Sequence, residues 1–331
     1  LIRATIACWL LLAGPAAAEW RADPVHAPGP VSAIEIDGPA VRVAIGTKWY
    51  QLAIDALALE PAKAPTRQAL PAGALADGRM AASAGPIAKA WLADPTGRYD
   101  HGVLGDAIEA GSLVIERRDG KRGKITPGAD AVFEDLAPRI ADIDGVDRIV
   151  VVKSYLARGS ALAVVDAGTM RIVAETPAIG HPHAWLNPAG VADYDGDGTT
   201  DLALVRQPHV VGHLELWSWK DSRLKKVAEV DDVANHFIGS RALGMHWTAD
   251  FDGDGHPDLA VPSLDRKALR IIGFAPGVRD IARVALPARI VTNLGAVMRD
   301  GRLAVLAGLE DGSLVLIRPQ GHLWNCWFVP C

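Results

Sequence analysis

Two stretches of the chain place carboxylates at a spacing that can wrap a hard cation. Asp193, Asp195, Asp197 and Asp201 occupy positions 1, 3, 5 and 9 of one loop, and Asp250, Asp252, Asp254 and Asp258 do so in another. Side chains at alternate positions of a tight loop converge, and the carbonyl at position 7 (Thr199 or His256) supplies a further oxygen. Gly198 and Gly255 stand at position 6, where a sharp turn needs a residue free to take positive φ. An all-oxygen shell of this size suits Ca²⁺ better than Mg²⁺, which demands a strict octahedron and keeps its waters. An EF-hand would need Glu at position 12, where this chain has Leu204 and Val261, so these are not EF-hand loops. The bland alternative is a solvated acidic turn holding no ion.

The two loops lie 57 positions apart and each runs straight into an apolar segment, Leu-Ala-Leu-Val after Asp201 and Leu-Ala-Val after Asp258. A shortened copy, with Asp142, Asp144 and Asp147, lies 51 positions before the first and has lost three residues, among them the position-5 ligand. Its cation binding is doubtful for that reason. A period of roughly 50 residues marks a repeat architecture. After each loop come β-type runs bounded by Gly, Pro, Asp or Ser: 148–155, 160–166 and 170–176, then 202–205, 213–219 and 224–230, then 259–263, 268–274 and 282–286. An apolar run such as 242–247 precedes each loop. Four short strands per repeat is one blade of a β-propeller.

The pattern Asp-x-Asp-Gly-Asp-Gly-x-x-Asp followed by an apolar strand resembles the calcium loop of FG-GAP/VCBS repeats, a family that includes the integrin α-subunit propeller and many exported bacterial proteins. The resemblance covers residues 131–290 well and the rest weakly. It implies an all-β, calcium-stabilised propeller, with Asp193, Asp195, Asp197, Thr199, Asp201, Asp250, Asp252, Asp254, His256 and Asp258 as the ligands of two ions. It implies no particular partner.

Weaker copies fill the remaining length: 288–298, 302–309 and 313–319 at one end, then 88–93, 102–108 and 112–117, and 41–45 with 48–54. The span 20–318 accommodates about six blades, with seven as the alternative. The last blade lacks an outer strand, and residues 31–36 are expected to supply it and so remove an open sheet edge. The Ala-Pro-rich segment 60–73 reads as a loop between blades. The expected division is a secretory signal at 1–18, a propeller at 19–320 and a tail at 321–331. Arg3 followed by an apolar run over 4–13, Gly14-Pro15 and Ala16-Ala17-Ala18 has the order of an export signal cleaved after Ala18. Periplasmic or extracellular residence follows from it, and a disulfide between Cys326 and Cys331 becomes possible in an oxidising compartment.

Composition agrees with this reading and excludes others. The 331 residues carry 33 Gly and 22 Pro, spread between apolar runs, which describes a turn-rich fold rather than a disordered chain. A net charge of −5 argues against a nucleic-acid groove. No apolar window is long enough to span a bilayer. The partner expected is therefore a protein or a glycan.

Ten Trp against five Phe and four Tyr is unusual. Trp217 and Trp219 alternate within one strand and so share a face, which suits packing between blades, with stacking on sugar rings as the alternative. His181, His183 and Trp185 precede one loop, and His246 and Trp247 precede the other. They are expected near the central axis, as structural residues or as a pocket. Motifs for nucleophilic hydrolases, zinc proteases, P-loops and dinucleotide folds are absent. That leaves a binding or scaffold module as the first expectation, and a propeller enzyme acting on polysaccharide (a lyase or hydrolase with a central His/Trp site) as the alternative.

Overall fold

The computed structural model describes residues 19–320. The signal segment, the C-terminal tail and all three cysteines lie outside the described residues. β1 (Trp20–Val25) opens the chain, and β2 (Ala33–Asp37), β3 (Ala40–Ile45), β4 (Lys48–Ala53) and β5 (Ala58–Ala62) form the first antiparallel blade in chain order. β6 (Ala81–Ala82), β7 (Ile87–Thr96), β8 (Glu109–Arg117) and β9 (Arg122–Ile125) form the second. After β10 (Ala131–Phe133), β11 (Arg139–Ile143), β12 (Val146–Tyr155), β13 (Gly159–Asp166) and β14 (Arg171–Glu175) form the third. β10 pairs with both β8 and β12, joining blades two and three into one nine-stranded sheet.

The fourth blade is β15 (Leu186–Ala192), β16 (Asp201–Arg206), β17 (His213–Lys220) and β18 (Arg223–Val230). The fifth is β19 (Trp247–Ala249), β20 (Asp258–Pro262), β21 (Ala268–Gly273) and β22 (Arg279–Ala285). The sixth has only three consecutive strands, β23 (Gly295–Arg299), β24 (Arg302–Gly308) and β25 (Leu314–Pro319). Its fourth strand is β1, paired antiparallel to β25 from Trp20 opposite Pro319 to Val25 opposite Leu314. The N-terminal segment does complete the last blade, but through residues 20–25. The expected 31–36 instead overlaps β2, the first strand of the first blade. The reason is register: six residues from Trp20 cover the whole exposed edge of β25, and the chain must then turn before starting a new sheet.

The middle strands read as continuous apolar runs because a blade is covered on both faces. Leu202, Ala203, Leu204 and Val205 of β16 are all buried. The outer β18 (RLKKVAEV) has one face in water and buries none of its residues fully. Apolar layers then join neighbours. Leu92 and Ile115 of blade two share a layer with Val151 and Val165 of blade three. Val150 and Leu162 of blade three share one with Leu202, Trp217 and Trp219 of blade four. Blades four and five meet through Val205, Leu216, Leu259 and Ile272. Blades five and six meet through Leu269, Ile271, Val305 and Ile317. Blades six and one meet through Leu306, Leu316, Ile34 and Val43. Trp217 and Trp219 thus pack blades together. Each such large side chain contributes about 1.5–3 kcal/mol when fully buried.

Among the described residues, no apolar layer joins blade one to blade two. The connecting segment 63–80 fills that seam, with Leu70, Ala74 and Met80 against Trp91 of blade two and with ion pairs reaching Glu35 of blade one. Two further expectations are corrected. Residues 102–108 form a loop with a single 3₁₀ turn (Gly102–Leu104) rather than a strand. The runs 242–247 and 288–298 contribute only the short strands β19 and β23.

A chain shortened to begin at His26 leaves the β25 edge bare. It should melt several degrees below the full chain and self-associate with rising concentration, measured by scanning calorimetry and size-exclusion chromatography. Unchanged melting would contradict closure by β1.

Candidate cation loops and a histidine cavity

The two acidic loops link first to second strand in blades four and five, and their geometry is nearly superimposable. Carboxylate oxygens of Asp193, Asp195 and Asp197 lie within 4.8 Å of one another, as do those of Asp250, Asp252 and Asp254. Backbone amides hold each set. Asp193 accepts from Gly196 and Gly198 at 2.9 and 3.0 Å, and Asp250 from Gly253 and Gly255 at 2.6 and 3.0 Å. Asp195 accepts from the amide of Asp197, and Asp252 from that of Asp254. The amides of Thr199 and His256 donate to Asp197 and Asp254. Gly196, Gly198, Gly253 and Gly255 all have positive φ, which lets successive amides face inward.

The closing acids are the first residues of β16 and β20 and stand outside the converging groups, near enough to feel their charge. Asp201 and Asp258 are almost fully buried and accept the amides of Tyr194 and Phe251 at 3.1 and 2.8 Å. Burial, with the charges of neighbouring acids, pushes Asp201 up to about 6 and Asp258 up to about 7. Asp201 Oδ1 has no hydrogen-bond partner. Three converging carboxylates, with a buried carboxylate oxygen left unpartnered at the end of the first loop, are oxygen donors of the kind a Ca²⁺ ion takes.

The loops differ in one respect. Arg279 Nη2 donates to Asp252 Oδ2 and Asp254 Oδ2, both at 2.8 Å, so the second loop carries its own cation. The first has no such partner among the described residues. The loops also touch: a Cβ on Gly196 would meet the His256 ring. Tyr194 Oη and Thr248 Oγ1 are 2.6 Å apart, above Gly190, whose backbone approaches so closely that a Cβ would fall 2.1 Å from that hydroxyl. The shortened copy forms a tight hairpin with Asp144 and Gly145 at positive φ, a two-residue turn. Asp142 and Asp147 pair across it, and the three acids do not converge.

Loops that join second to third strands lie at the opposite end of each blade. There, residues 97–108, 207–212 and the connections 176–185 and 231–246 enclose a cavity of about 350 Å³ lined by His101, His183, Trp185, Gln207 and His209. His101 Nδ1 lies 2.6 Å from Glu134 Oε1. Glu134 is fully buried, and Ser154 and Ser160 donate to its other oxygen. Burial raises the Glu134 pKa against the pull of His101. Glu109, also buried, is pushed up to about 10 by burial and by Glu134. The His183 ring centre is 5.2 Å from those of both Tyr99 and His101.

A second relay fixes tautomers. His236 Nε2 is 2.8 Å from the Ser240 carbonyl, which can only accept, so this nitrogen carries the proton. Burial lowers His236 to about 4 and His209 to about 3, so both are neutral near pH 7. His236 Nδ1 therefore accepts from His209 Nε2 at 2.7 Å, and His209 Nδ1 keeps a lone pair. A carboxylate-backed imidazole beside neutral imidazoles can bind a polar ligand and exchange protons with it.

Of the histidines and tryptophans marked in the sequence, only His183 and Trp185 reach this cavity, and Trp185 is buried, donating to the Glu134 carbonyl at 3.1 Å. His181 is exposed. His246 and Trp247 line a separate central cavity. His101, Glu134, His209 and His236 went unmarked because they come from separate loops with no local motif.

Residues 193–261 match the FG-GAP-like repeat family, the span of both complete loops and the blade between them. No curated protein matches the chain. Among solved structures, BamB from Moraxella catarrhalis is similar at 13% identity, covering 86% of this chain and 71% of that one, with a TM-score of 0.39.

A carboxyl whose folded pKa lies above its unfolded value costs stability. Here that cost grows as pH rises from about 4 to about 7 and is constant above. In chelator, Asp258→Asn should therefore melt higher than the unsubstituted chain at about pH 8, with the difference closing toward about pH 4. A variant that melts lower across the range would show that the ionised Asp258 stabilises the cation-free fold.

Proposed function

We propose that this protein is an exported β-propeller whose fourth and fifth blades are each stabilised by Ca²⁺ and which serves as a binding module for a protein or glycan. One observation supports the calcium half: two loops nine positions long each bring three carboxylates together, and the buried acid that closes the first has Oδ1 unpartnered. Asp193, Asp195, Asp197, Thr199 and Asp201 would hold one ion, and Asp250, Asp252, Asp254, His256 and Asp258 the other. A bound ion would neutralise carboxylates that otherwise repel, so its binding free energy would add to that of folding. Export is supported by the signal-like residues 1–18. Among the described residues no helix is long and apolar enough to cross a membrane.

Titration calorimetry should give two Ca²⁺ per chain, and chelation should lower the melting temperature. Because Arg279 must leave Asp252 and Asp254 for an ion to enter, Arg279→Ala should tighten the second site several-fold and leave the first unchanged. An identical melting curve with and without chelator would refute calcium stabilisation.

A second reading, catalysis on a polysaccharide, is favoured by one observation, the His101–Glu134 pair in a cavity that also holds His183. If it holds, His101→Ala should abolish release of new chain ends from a susceptible polysaccharide, a loss of at least about 10²-fold, with unchanged melting. Retained turnover would remove His101 from any such reaction.

A further inference from the structure

A cavity of about 510 Å³ lies among the first strands of the blades, and a groove of about 920 Å³ in the seam between blades one and two shares part of its wall. The two share Glu35, Arg79 and Arg241 in their walls. Their combined lining holds four arginines, Arg67, Arg79, Arg139 and Arg241, against two acids, Glu35 and Asp77. Two acids beyond the lining, Asp135 and Asp106, pair with Arg139 and Arg241, so guanidinium groups outnumber carboxylates at Glu35, where Arg67 and Arg79 meet.

The arginines are not equally engaged. Arg139 is held by Asp135 at 2.7 Å, and Arg241 spans Asp77 and Asp106 at 3.0 Å each. Arg67 and Arg79 share one oxygen of the mostly buried Glu35, at 2.5 and 3.5 Å. One carboxylate facing two guanidinium groups leaves a positive charge uncompensated, and the longer contact identifies Arg79 as the looser partner. The Arg79 amide donates to the Leu136 carbonyl at 2.7 Å, which anchors this residue's backbone. His246 Nδ1 faces the same region buried and without a partner. Trp247 and Leu243 supply an apolar wall.

The geometry points to a binding site for a carboxylate-bearing glycan, a short uronate strand, lying in the seam and central cavity with its carboxylate on Arg67 and Arg79, the two guanidinium groups that share one carboxylate. Arginine suits this ligand because its planar fork meets a carboxylate with two parallel hydrogen bonds. Trp247 offers an apolar face for the sugar ring. This rests on the glycan branch of the binding-module reading. It is separate from the histidine cavity, which shares none of these residues.

The test is titration calorimetry on the full chain in saturating Ca²⁺, with a short oligogalacturonate, its methyl-esterified neutral form and an oligoglutamate of matched charge. The oligogalacturonate should bind at least tenfold more tightly than either comparator, and more weakly as salt rises. Arg79→Gln should weaken it at least tenfold with unchanged melting. Glu35→Gln removes the competing carboxylate and should tighten binding several-fold, a gain that a merely structural role would not produce. Absence of oligogalacturonate binding by a chain whose melting still responds to Ca²⁺ would overturn this site and leave the calcium reading intact. Equal binding of the neutral form, preference for oligoglutamate, or indifference to both substitutions would also overturn it.

Discussion

The pairing of residues 20–25 with 314–319 is the contact on which the arrangement depends. Each blade has two apolar faces and can bury both only between neighbours. A linear stack would leave an uncovered face at either end. Joining the two chain ends in one sheet brings blade six to blade one, and Leu306 and Leu316 then meet Ile34 and Val43 in a shared layer. A cut after Ala18 would preserve this strand whole, since it begins at Trp20. Among the described residues, the seam between blades one and two is filled by a connecting segment and ion pairs rather than by an apolar layer. A groove of about 920 Å³ lies there.

Antiparallel order within a blade sorts the chemistry to opposite faces. Loops between first and second strands emerge at one end, and loops between second and third strands at the other. Asp193–Asp201 and Asp250–Asp258 therefore share a face with the Asp144-Gly145 hairpin, while His101 and His209 lie on the far side. Neighbouring copies of a repeat are also placed side by side. This explains the contact of His256 with Gly196 and the hydrogen bond between Asp144 and Thr200.

What could be read in the sequence was whatever repeats or is local. The nine-position loops contain their own ligands, turns and following strand, so Asp193 to Asp201 and Asp250 to Asp258 were recognisable without tertiary information. Strands flanked by Gly or Asp turns were legible for the same reason. Closure was legible as a need, but the choice between 20–25 and 31–36 depends on an edge nearly 300 residues away. The deletion in the Asp142 copy signalled lost ligands, though not that the loop would collapse to a two-residue hairpin. The cavities were beyond reach, because His101, Glu134 and His209, or Arg79, Arg139 and Glu35, are brought together only by the ring. The tryptophan excess is now partly explained: Trp91, Trp185, Trp217 and Trp219 are all buried against neighbouring elements.

The acidic loops and the cavities also share a mechanical link. β15 and β16 carry the first acidic loop at one end and, at the other, lead into Trp185 and Gln207 of the histidine cavity. β19 begins at Trp247 in the central cavity and ends at the second loop. Gly190, Tyr194 and Thr248 join these strands by a backbone approach that leaves no space for a side chain. A cation that fixed Asp201 and Asp258 would thereby fix the ends of β16 and β20, and through them the spacing of blades four and five. The buried carboxylates then have a role that an apolar pair could not fill. With an ion bound, they would make the packing of two adjacent blades depend on it, in the part of the ring that forms walls for both cavities.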